Sequence, residues 1–81
     1  MKDTFDVILN FISTNPGYDI MLSEDPKSNA VRISVSKGRA RYTQIVTPYE
    51  MELSAPNRSE FVESILEDLK DRIEKLPQQS I

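Results

Sequence analysis

From position 57 onward, apolar residues recur at helical spacing. At about 100° per residue, Phe61, Val62, Ile65, Leu66, Leu69, Ile73 and Leu76 share one arc of about 140°, the stripe of a helix lying on a core. Asn57 is a candidate cap, and Glu60 three residues later supplies a capping-box carboxylate. Pro56 and Pro77 bracket the segment, because proline cannot continue a helix interior. The pattern predicts a helix over 57–76 around which the rest of the chain is organised.

The N-terminal pattern is also helical but carries two apolar faces. Asp3 or Thr4 can cap it, and Asn15-Pro16-Gly17 stops it near Thr14. Phe5, Ile8, Leu9 and Ile12 share one face, while Val7 and Phe11 form a second pair four residues apart. Either this short helix is buried on more than one side, or the Val7–Phe11 pair forms a partly exposed patch for dimerisation or partner binding.

The middle of the chain alternates with a period of two. Tyr18, Ile20 and Leu22 share one face of a first strand over 18–23, followed by a polar turn over 24–29. Val31, Ile33 and Val35 share one face of a second strand over 30–36. Lys37-Gly38 reads as a two-residue hairpin turn, which places Ser36 opposite Arg39 and Ile33 opposite Tyr42. Ala40, Tyr42 and Val46 then join the apolar face, and Arg32, Arg39, Arg41, Thr43 and the serines collect on the other. Thr47-Pro48-Tyr49-Glu50 combines a cap, a proline at the first helical position and a capping-box Glu. It predicts one helical turn over 48–53, with Tyr49, Met51 or Leu53 tucked inward. The tail from Gln78 to Ile81 is expected to fray. The expected fold is α+β in a single domain, residues 1–81: a three-stranded antiparallel meander with two helices packed on one face. The order is α-β-β-β-α, with the short helical turn before the last helix.

Composition narrows the chemistry. The chain has no Cys and no His, which removes disulfides, thiolate and imidazole metal ligands, Cys nucleophiles and the commonest general base. Both glycines sit at turns, so no phosphate-cradling loop is present. The chain is therefore expected to be neither an enzyme nor the holder of a cofactor or metal. Glu24 and Asp25 before Pro26 lack calcium-loop spacing and read as an ordinary acidic turn. No run is apolar enough to span a membrane, and Met1-Lys2-Asp3 begins neither a secretory leader nor a transit peptide. The expected location is the cytoplasm, that of the host if the chain is phage-encoded.

Formal net charge is −3, with the basic residues concentrated over 24–48 and the acidic excess at both ends. On the last helix Glu60, Glu63, Glu67, Asp71 and Glu74 line up opposite the apolar arc. Such a ridge is either a solvated helix face or a docking surface for a basic partner. Pairings Glu67–Lys70, Asp68–Arg72 and Asp71–Lys75 are expected to offset part of its repulsion. On the sheet, Arg32, Lys37, Arg39 and Arg41 are candidates for contact with nucleic acid, and the element order is that of double-stranded-RNA-binding domains. The start of the last helix, Asn57-Arg58-Ser59-Glu60, has one positive charge where those domains place a basic cluster. The outer sheet face also lacks aromatic residues for base stacking.

The chain resembles small accessory proteins of bacteriophages and prophages. In outline it resembles one group of anti-CRISPR inhibitors of type II-A effector nucleases. The likeness lies in a short helix leading to the Tyr18–Ser23 strand, a Ser28-Asn29 turn before an Ile/Val-Arg strand and hairpin, and a helix rich in Glu, Phe and Ile over 60–66. It covers about residues 5–70 and carries over no individual binding residue. It implies a stoichiometric inhibitor whose carboxylates imitate DNA phosphates in a basic nuclease groove. The function expected first is thus that of a phage-type accessory protein acting by protein–protein contact, as an inhibitor of a host defence nuclease. The alternatives are a nucleic-acid-binding module using the basic sheet face, and a structural homodimer without a ligand.

Overall fold

The computed structural model describes residues 4–76. The expectations for Asp3, Pro77 and the tail from Gln78 lie outside the described residues. The order is α1 (Thr4–Thr14), β1 (Tyr18–Glu24), β2 (Val31–Lys37), β3 (Ala40–Val46), α2 (Pro48–Leu53), a 3-10 turn (Ala55–Asn57) and α3 (Arg58–Glu74). The strands form an antiparallel sheet in the order β1-β2-β3. Both long helices pack on one face, α3 over β2 and β3, and α1 against α3 and β1. The α+β meander with two helices on one face is the architecture the pattern implies.

The hairpin turn lies one residue later than the sequence predicts. Gly38 and Arg39 are its central residues, so Lys37 pairs with Ala40, Ser36 with Arg41 and Val35 with Tyr42. Gly38 has φ +60°, the positive φ that a two-residue hairpin demands of its first central residue, while Arg39 avoids it. Moving the turn by one residue changes each pairing by two. Because side chains alternate with period two, every residue keeps its face.

The core is made by Tyr18, Ile33, Val35 and Val46 of the sheet against Val62, Leu66, Leu69 and Ile73 of α3. Leu66 and Leu69 are almost wholly enclosed, and each such burial stabilises the fold by roughly 1.5–3 kcal/mol. The helix ends two residues earlier than expected. α3 stops at Glu74 with Lys75 as its cap, and Leu76 is exposed at the rim.

Two local expectations are corrected. Asn57 makes no side-chain cap, because the chain enters α3 from a 3-10 turn. The reciprocal box forms at α2 instead, where Thr47 Oγ1 accepts from Glu50 N–H at 3.2 Å and Glu50 Oε1 accepts from Thr47 N–H at 3.0 Å. Of the three inward candidates in α2, Met51 does pack against the core, while Tyr49 and Leu53 face solvent.

The second correction concerns α1. Val7 and Phe11 are each 4% exposed and belong to the core, Phe11 meeting Tyr18 edge-to-face at 6.0 Å. They are not available as a dimerisation patch. Of the other face, Ile8 packs against the core, while Phe5 is 62%, Leu9 49% and Ile12 42% exposed. The tight turn over 15–17 sets this choice, since Tyr18 N–H bonds to Asn15 O and brings the Phe11 side of α1 down on Tyr18.

Candidate interaction surfaces

The carboxylate ridge of α3 divides into tied and untied groups. Glu74 Oε2 accepts a 3.0 Å hydrogen bond from the Tyr18 hydroxyl and lies 3.9 Å from Lys70 Nζ. Burial and this bond raise the Tyr18 pKa above its ordinary value. Asp71 pairs with Lys75 at 2.8 Å, and Asp68 with Arg72 at 3.2 Å, as the spacing predicts. The Asp71 carboxylate raises the Lys75 pKa. Lys70 turns to Glu74 rather than to Glu67. That leaves Glu60, Glu63 and Glu67 exposed, with no salt bridge among the described residues.

Glu63 and Glu67 stand across a shallow cleft from Asn10 and Thr14 of α1, with Val7, Phe11 and Leu66 at its floor. On α1 itself, Asp6, Asn10 and Ser13 separate this cleft from the exposed Leu9 and Ile12. Crossing the helical layer from α3 to α1, a partner would meet untied carboxylates, a polar border, and then an apolar stripe. Sequence spacing located the carboxylates. It also showed two apolar faces on α1, which is more than one side of a small sheet can cover.

The basic residues do not form one surface. Arg32 and Arg41 project from the open sheet face but stand two cross-strand rows apart, about 13 Å along the strands. Asp19 shares a row with Arg41 through Ser36, and Arg32 lies 3.8 Å from Asp25. Hydrogen bonds from Lys27 N–H and the Ser28 hydroxyl hold the Asp25 carboxyl below its usual range. Arg39 is in the turn. Lys37 is on the opposite face, its Nζ 4.9 Å from the centre of the Tyr18 ring. Met21 and Ile45 are exposed on the open face, so it is neither uniformly basic nor uniformly polar.

No group of three or more Asp, Glu, His or Cys among the described residues is arranged to hold a metal ion. No helix among them is long and apolar enough to cross a membrane. Comparison of the chain with protein-family models, with curated proteins and with solved structures gave no match.

Proposed function

We propose that this chain acts by protein–protein contact, docking a basic amphipathic segment across α1 and the neighbouring carboxylates of α3. One observation carries the proposal: α1 buries Val7 and Phe11 and part of Ile8, and leaves Leu9 and Ile12, beside Phe5, in solvent. Leu9 and Ile12 contribute little to the core from there, and neighbouring large aliphatic side chains exposed on one helix face suit a partner's apolar surface. The acidic border specifies the partner's charge. In an antiparallel two-fold pairing of α1 with a second copy, the flanks that carry Glu63 and Glu67 would lie on the same side, and like charges across an interface oppose association. A cationic partner meets no such repulsion.

The sequence-level resemblance to type II-A anti-CRISPR inhibitors supports a finer form of this proposal, in which the basic partner is an effector nuclease. Addition of equimolar protein to a guide-loaded type II-A nuclease should then stop cleavage of target DNA. Undiminished cleavage at tenfold excess would remove that partner and leave the general proposal standing.

The general proposal is tested by calorimetric titration with two helical peptides of equal length, one of Leu and Lys, the other of Leu and Glu. Saturable binding of the Leu/Lys peptide alone is expected. Equal binding of both, or of neither, would overturn it.

A further inference from the structure

Beyond the docking surface, a half-open groove of about 250 Å³ lies between the start of α1, the far end of the β1–β2 pair, α2 and the start of α3. Ile8, Leu22, Val31 and Val62 are among its apolar walls, and its polar side chains are Thr4 and Arg58. The exposure of Leu22, on the core side of its strand, shows that α1 does not close this end of the sheet.

Arg58 is the unusual component. Its side chain is partly buried, and one terminal nitrogen donates to Met51 O. No carboxylate lies within salt-bridge distance of it among the described residues, and its Nε is buried without an acceptor. A guanidinium has five N–H donors and does not lose its charge, so holding it against apolar walls without a counter-ion is unfavourable. An anion at the groove would offset that cost.

We propose that this groove binds a medium-chain monocarboxylic acid, with its hydrocarbon chain along Ile8, Leu22, Val31 and Val62 and its carboxylate on Arg58. Size and polarity select this class. At about 250 Å³ the groove falls just below the roughly 300–1,000 Å³ of pockets for drug-sized ligands, which suits a single short hydrocarbon chain. Thr4 and Arg58 are the only polar side chains among its lining residues, which suits a ligand with a single polar group. A peptide C-terminus would bring backbone amides that the apolar walls leave without partners.

The test is an NMR titration following the methyl groups of Ile8, Leu22, Val31 and Val62, with octanoate, octanol and acetyl-alanyl-leucine as probes, repeated on Arg58→Met. Octanoate is expected to shift these methyls saturably and to bind about tenfold or more tightly than octanol, the difference that a charge-assisted hydrogen bond supplies. Arg58→Met should erase that preference. Equal affinity for octanoate and octanol in the unaltered protein would overturn the proposal, whether or not the variant folds. So would tighter binding of the peptide, or the absence of saturable shifts at these methyls. None of these results depends on the docking of a basic partner at α1.

Discussion

The Tyr18 hydroxyl donates a 3.0 Å hydrogen bond to the Glu74 carboxylate, joining the first residue of β1 to the last of α3. It closes one end of the helix–sheet sandwich and withdraws Glu74 from the acidic ridge. Removing the hydroxyl by Tyr18→Phe should cost about 1 kcal/mol, less than the roughly 1.5–3 kcal/mol of a bond to a buried charged group, because Glu74 is half exposed. Urea unfolding at pH 7 measures it.

The same bond has a pH signature. The Tyr18 pKa is raised by burial and by Glu74, so the fold favours the neutral phenol. Its contribution is fully present below about pH 10, the unfolded value, and is lost as pH rises through the higher folded value. Unfolding curves between pH 8 and 12 should show this decline, and Tyr18→Phe should lack that part of it.

The two faces of α1 should differ sharply in their effect on stability. Phe11→Ala removes an enclosed ring and is expected to cost about 3 kcal/mol or more, a large part of the stability of a domain this small. Leu9→Ala and Ile12→Ala, on the exposed face, should change stability by no more than about 0.5 kcal/mol. Urea midpoints of the three variants decide the matter; comparable losses would mean that the stripe is part of the core.

Charge reversal should act unevenly along α3. Glu63→Lys with Glu67→Lys is expected to weaken binding of the Leu/Lys peptide about tenfold or more at low salt. Asp71→Asn should have little effect, because Lys75 already neutralises that carboxylate. Calorimetry at two salt concentrations separates these cases.

Duplex DNA and RNA should not bind saturably at low salt, since Arg32, Lys37, Arg39 and Arg41 are dispersed over two faces and partly paired. Binding that falls steeply with salt and is lost in an Arg39→Ala, Arg41→Ala variant would restore the nucleic-acid interpretation.

Most of the architecture was legible in the sequence because period and punctuation agree along the chain. The hairpin shows why errors there were harmless: a turn displaced by one residue moves Tyr42 from Ile33 to Val35 but leaves it facing the core. The surfaces were less legible. Periodicity identifies apolar faces on α1 without ranking them, and burial of Val7 and Phe11 depends on the tertiary contact with Tyr18. Spacing placed Glu74 on the ridge but did not reveal the Tyr18 hydroxyl beneath it. Arg58 looked like an ordinary helix-start residue until folding set Met51 beside it.

The exposed face of α1 and the untied carboxylates of α3 are proposed to act as one docking surface. Amide shift mapping of the protein during titration with the Leu/Lys peptide tests it most directly. Saturable shifts should centre on Leu9, Asn10, Ile12, Glu63 and Glu67, leaving the open face at Met21 and Ile45 unchanged. Shifts centred on that open face, or none at all, would contradict the account.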